Sequence, residues 1–230
     1  MTNQTLAATV SRILRQPGMM NMGFNMHGLL VTGQYYSMVA AAIEEGRIEC
    51  LTAKDLPPQR PGQFAAGTVA TARYTPSDNR MMFERENFGS RLSEEITIVH
   101  EATHAIFDIT APSKKHQTLA INDESAAVLA EALYIKLCGK PKGNFDMVIG
   151  DPQYEAWNLA NEMMIETENF TIGPKPYVLK VDQTKLLNNA VGLLWNFTLK
   201  PEKGGYADDR GVKYHYDGVP KCNLRATKCK

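Results

Sequence analysis

His100, Glu101 and His104 are the residues whose types and spacing can do chemistry. They lie in the run Thr97-Ile98-Val99-His100-Glu101-Ala102-Thr103-His104-Ala105-Ile106-Phe107, which contains neither Gly nor Pro. On an α-helix two residues four apart stand on one face, about one turn from each other. Two neutral imidazoles so placed can hold one Zn²⁺ between them. Glu101, turned by one residue, can reach a water on the open side of the ion. The chemistry this spacing points to is hydrolysis: the metal acidifies the water, and the carboxylate takes its proton as it attacks a carbonyl.

Three fixed letters can occur by chance, so the element that must carry them matters. Ile96, Val99, Ala102, Ile106 and Ile109 recur at helical spacing, and Pro112 stops the run. Ser93 is the expected N-cap, and Glu94 and Glu95 suit the positive end of the helix dipole in the first turn. Polar His100, Glu101 and His104 would be costly in so apolar a helix without partners.

A zinc site needs a third protein ligand. The continuation H-E-x-x-H-x-x-G-x-x-H is excluded, because Phe107 and Thr110 occupy the places of its Gly and last His. Glu124, Glu131, Asp108 and His116 remain. Asp108 is a short side chain a turn beyond His104, and His116 adjoins Lys114 and Lys115. Glu131 is two turns deeper in the next expected helix than Glu124. Glu124 is favoured, with Glu131 next, because Glu124 sits in the expected first turn and Ala126 and Ala127 allow close packing.

The arrangement from about Thr68 to Leu137 resembles the gluzincins, the thermolysin-like class of zinc peptidases, in which H-E-x-x-H is followed by a Glu on a downstream helix. The resemblance implies His100, His104 and Glu124 as ligands of one Zn²⁺ and Glu101 as general base. It also implies an edge strand along the cleft, placed here at Arg80 to Arg85, that pairs with an extended substrate. The sequence departs from the pattern at Val128, where such proteins often carry an Asp that orients a ligand imidazole. Asp108, Asp123 or a backbone carbonyl is then expected to serve instead. Glu131 reads otherwise as a buried partner of an imidazole or a solvated residue, and Asp108 as a solvated residue near the helix end. A donor to the developing oxyanion is expected from Tyr214, His215 or Tyr216, with His215 taken as the catalytic candidate.

Around this site the chain reads as α+β: a zincin-like arrangement with a small mixed or antiparallel sheet packed on the metal helix, and further helices. Expected helices run from about Asn3 to Gln16, Gly33 to Glu45, Asn122 to Lys136, Pro152 to Glu166 and Asp182 to Leu194. Strands are expected at Arg47 to Thr52, at 212–216, and as a hairpin of Thr68 to Tyr74 with Arg80 to Arg85. Met-rich Pro17 to Gly28 reads as a loop packed on the core, and Ser113 to Leu119 as a polar loop. The Pro-rich stretch Lys54 to Gly62 divides an N-terminal portion, 1–62, from a metal-bearing portion, 63–230, which can equally form one domain.

At 230 residues the chain is long enough for a substantial core. Lys plus Arg equals Asp plus Glu at 25 each, so charge gives no reason to expect nucleic acid or an anionic membrane as partner. No transmembrane stretch and no signal peptide are read, which makes a cytoplasmic location the expectation. Cys222 and Cys229 are expected to pair if the protein meets an oxidising compartment, and free thiols are the equal alternative. The expected activity is that of a zinc metallopeptidase acting on a peptide or protein. The rivals are a non-catalytic binding or structural protein that keeps the metal helix, and a zinc hydrolase of a non-peptide amide. The oligomeric state is not legible.

Overall fold

In the computed structural model, residues 3–52, 71–111, 116–141, 149–167, 175–198, 213–216 and 218–219 are described. Helix α1 (Gln4–Leu14) starts where Asn3 Oδ1 accepts the Leu6 N–H at 3.1 Å, and it buries Leu6, Val10, Ile13 and Leu14. A single 3-10 turn, Pro17–Asn21, leads into β1 (Gly23–Met26) and β2 (Leu29–Thr32), an antiparallel hairpin. His27 and Gly28 form its two-residue turn with φ of 51° and 84°. Positive φ at both central positions matches the twist of the flanking strands. The expected irregular Met-rich loop is therefore corrected. Met22 and Met26 are buried, and Asn25 Oδ1 closes the turn on the Gly28 N–H at 3.0 Å.

Thr32 caps α2 (Gly33–Glu44) by accepting the Tyr35 N–H, and Gly46, at φ 68°, follows its end. Next come β3 (Glu49–Thr52), β4 (Ala72–Thr75) and β5 (Arg80–Phe83). The hairpin β4–β5 forms as expected, but β3 lies parallel to β5, giving the order β3-β5-β4. The strand assigned from sequence to the edge is the central one, and β4 is an edge among the described residues. Residues 53–70, with the Pro-rich stretch, lie outside the description.

Helix α3 (Leu92–Ile109) begins before Ser93, so Ser93 is not its cap. Glu94 does that work: its Oε2 accepts the N–H groups of Gly89, Ser90 and Arg91 at 2.8, 2.9 and 3.3 Å, and its other oxygen pairs with Arg85. After it come β6 (His116–Leu119), α4 (Ala120–Leu137), α5 (Pro152–Glu166), β7 (Tyr177–Val178), α6 (Val181–Thr198) and β8 (Lys213–Tyr216). The expected polar loop before α4 thus ends in a strand, β6, which pairs antiparallel with β8. β7 adds in parallel to β1. Asp151 and Pro152 open α5 as expected, with Asp151 Oδ1 accepting the Gln153 N–H at 2.8 Å.

The described residues form an α+β fold of six helices and three small sheets. Buried side chains from Leu6 to Tyr216 make one continuous cluster, so residues on both sides of the 62/63 division share it. No helix among the described residues is long and apolar enough to cross a membrane. Cys222 and Cys229 fall outside the description.

The N-terminal part packs with backbone against backbone. A Cβ on Gly33 would stand 2.3 Å from the Met19 carbonyl oxygen and 2.6 Å from Met20 Cα. Gly33→Ala is expected to cost about 1–3 kcal/mol by overpacking, read as a lowered denaturation midpoint. An unchanged midpoint would show that the Pro17–Asn21 turn yields freely.

Candidate metal centre

The centre lies between α3 and α4. Glu95 accepts the Tyr134 O–H, His100 meets Glu131, and His104 meets Glu124, so partners descend α4 as they ascend α3. The two helices are therefore antiparallel. Helices α3 and α4 pack directly on each other, and Ala102, Ala105, Ala126, Ala127 and Ala130 on them are buried.

His100 Nε2 lies 3.1 Å from Glu124 Oε2, and His104 Nε2 lies 3.5 Å from Glu124 Oε1. The two rings are 5.1 Å apart between centroids and inclined at 72°. One ligand atom from each of His100, His104 and Glu124 falls within 4.8 Å of the others, and this group can hold a metal ion. Two imidazoles and one carboxylate suit a divalent ion that accepts both nitrogen and oxygen.

Glu131 does not join that group. Its Oε1 lies 2.6 Å from His100 Nδ1, on the side of the ring away from Nε2. Two turns of α4 separate Glu124 from Glu131, about 10 Å, and His100 fits between them. Glu131 thus takes the role expected of Asp108, Asp123 or a backbone carbonyl, and fixes the imidazole with Nδ1–H donating and Nε2 turned to the metal position. Helix α4 begins at Ala120, so Glu124 stands in its second turn rather than its first.

Asp108 is not solvated but completely buried. Its Oδ2 accepts the Tyr74 O–H at 2.6 Å, and its Oδ1 accepts the Gly218 N–H at 2.9 Å. Asp123 Oδ2 accepts the hydroxyls of Thr118 and Tyr216 at 2.5 and 2.6 Å. Tyr216 is thereby committed to a structural bond. His116 and His215 lie on β6 and β8, opposite Tyr216 and Gln117 respectively. The side chains of His116, Tyr214 and His215 lie outside the description.

Glu101 adjoins the ligands, half-buried, with Oε2 accepting the Tyr74 N–H of β4 at 2.6 Å. Burial pushes its carboxyl up to about 7, against the His100 charge and the Tyr74 N–H, while Glu124 and Glu131 push the same way as burial. Burial opposes a charge on His100, but its hydrogen bonds to Glu124 and Glu131, and their charges, hold it well above its ordinary value. His104 is lowered to about 4 by burial and by His100, with Glu124 opposing. The same site thus favours the charged form of His100 and the neutral form of His104.

Neither the known family models, nor the curated proteins, nor the solved structures give a match to this chain.

Two outcomes follow from this geometry. Glu124→Ala should weaken zinc binding more than Glu131→Gln, which should cost about 10- to 100-fold. A larger loss from Glu131→Gln, read by competition with a chromophoric chelator, would reassign the third ligand. A metal at His100 Nε2 must also displace a proton. Because His100 is raised, apparent zinc affinity should climb with pH until that pKa is passed, with about one proton released per ion. Calorimetry in buffers of different ionisation enthalpy measures that proton, and pH-independent binding without release would contradict the arrangement.

Proposed function

We propose that the protein is a zinc-dependent hydrolase, most simply a peptidase, with a zincin-like site of the gluzincin kind. His100, His104 and Glu124 would hold one Zn²⁺. The observation that carries this reading is Glu101: a carboxylate with a raised pKa, next in sequence to a ligand, whose rotamer is fixed by a backbone N–H of the neighbouring strand. A bound zinc ion would supply Lewis acidity, polarising a carbonyl and acidifying the attacking water.

Glu101 takes the water's proton and passes it to the leaving amine. Burial raises this carboxyl, which favours its taking up the proton it must later give away. Strand β4 would line up the substrate. The Tyr74 N–H leaves the ladder to reach Glu101, and Thr71 C=O accepts the Glu84 N–H, so Ala72 and Tyr74 present their backbone away from β5. An extended peptide would add there by main-chain hydrogen bonds to Ala72, the Tyr74 N–H being held by Glu101. The role read from sequence for Arg80 to Arg85 passes to β4. His215 remains the candidate oxyanion donor, since Tyr216 is bound to Asp123. Val128 would favour a non-catalytic relic, but Glu131 supplies the orienting carboxylate missing at that position.

In the zinc-loaded protein, Glu101→Gln should reduce hydrolysis of an unstructured peptide pool by about 10²- to 10⁴-fold while zinc stoichiometry is kept. Mass spectrometry of the pool and metal analysis of the same sample read both. Equal cleavage by a folded Glu101→Gln protein, or none by the zinc-loaded parent, would overturn the reading.

A further inference from the structure

We propose that β8 with the following Gly218 is a positioning strap: it holds α3 and α4 at the separation that His104 and Glu124 need to share one ion. The proposal rests on the metal-site reading above.

The strap reaches each helix through a buried carboxylate close to a ligand. On α4, Asp123 immediately precedes Glu124, and its Oδ2 accepts the Tyr216 O–H at 2.6 Å. The same oxygen accepts the Thr118 O–H at 2.5 Å, so both paired strands, β6 and β8, dock on that one residue. On α3, Asp108 lies one turn after His104, and its Oδ1 accepts the Gly218 N–H at 2.9 Å. The Tyr216 ring also packs edge-on against Phe107 of α3, with centroids 6.3 Å apart at 72°. A segment of a few residues therefore bonds to both metal-bearing helices.

Its place along the helix pair gives the strap its consequence. At one end of the centre the helices are joined directly, by Tyr134 to Glu95 and by His100 to Glu131 at 2.7 and 2.6 Å. At the other end Glu124 meets both histidines, His100 at 3.1 Å and His104, the outer one, at the longer 3.5 Å. That is the end where Asp108 and Asp123 hold the strap. Both side chains are completely buried, so undocking would take one donor from each, the Gly218 N–H from Asp108 and the Tyr216 O–H from Asp123, and a lost buried hydrogen bond is costly. Asp108 also ties the strap to β4 through the Tyr74 O–H, and the N–H of the same tyrosine holds Glu101. The strap thus supports the ligands and the proposed base together.

If strap and ion depend on one spacing, linkage makes the effect mutual: docking tightens metal binding, and metal slows undocking. A strap that only added stability would not respond to metal. The test uses the full chain and zinc alone. Deuterium uptake is followed in peptides covering 116–119 and 213–219, with and without zinc, in the parent and in Tyr216→Phe. The substitution keeps the ring on Phe107 and removes the bond to Asp123; Thr118→Val removes the other hydroxyl and serves if Tyr216→Phe fails to fold. Zinc should slow exchange in both strands of the parent. Tyr216→Phe should bind zinc about tenfold more weakly, as when other groups that orient ligands are lost, and should lose most of that slowing. Zinc bound with unchanged affinity in the variant, and strand exchange indifferent to zinc in the parent, would overturn the strap alone. A parent that takes up no zinc overturns the metal-site reading, and the strap with it.

Discussion

Two imidazoles and three carboxylates (Glu101, Glu124 and Glu131) lie where α3 packs on α4, and each must be answered by a partner or the packing fails. That constraint governs the structure around the centre. The antiparallel run of the helices lets one turn of α3 face two turns of α4, so that His100 meets Glu124 and Glu131 on opposite sides of its ring. The N–H of Tyr74 answers Glu101, and the strands β6 and β8 answer Asp123. An apolar helix pair could stack with several registers, but one that buries this set of polar groups has far fewer.

The same constraint divides the two histidines. Both are largely buried, and burial alone disfavours the charged form of each. His100 escapes because it touches two carboxylates, whereas His104 has the longer approach to Glu124 and the charged His100 beside it. The two histidines that could share an ion are thus pushed in opposite directions by one site.

How legible this was depended on the range of the signals. Helix α3 could be read because its apolar period is long and its polar exceptions have motif spacing, and Glu124 because it follows on the next helix. The part played by Glu131 was weighed but not assigned: a partner two turns beyond the ligand is visible only once the helices are known to be antiparallel. The edge strand was misplaced because sheet order is not a local property. The pairing of β3 with β5 joins segments on either side of 53–70 and moves Arg80–Phe83 to the centre. The β1–β2 hairpin hid behind methionines, which are weak strand markers, although His27-Gly28 stood between two alternating pairs. Asp108 looked like a helix-end surface residue because both its partners, Tyr74 and Gly218, are distant in sequence.

One pattern runs the length of α3. Glu94, Glu101 and Asp108 recur every seven residues, which keeps them nearly in line along the helix. Each accepts a backbone N–H from outside the helix: Glu94 from the loop before it, Glu101 from β4, and Asp108 from Gly218. Taken alone, that row would make Glu101 a strut like its neighbours. The difference lies in what surrounds it. Glu94 has Arg85 on its second oxygen, and Asp108 has the Tyr74 hydroxyl on its own. In Glu101 the bond to Tyr74 uses Oε2, and the carboxyl stands beside His100 with its pKa raised to about 7. A carboxylate has two oxygens, and fixing one in place sets the direction of the other. The strut and the proposed base are then one device: the N–H of β4 aims the oxygen that would receive the proton in the proposed reaction.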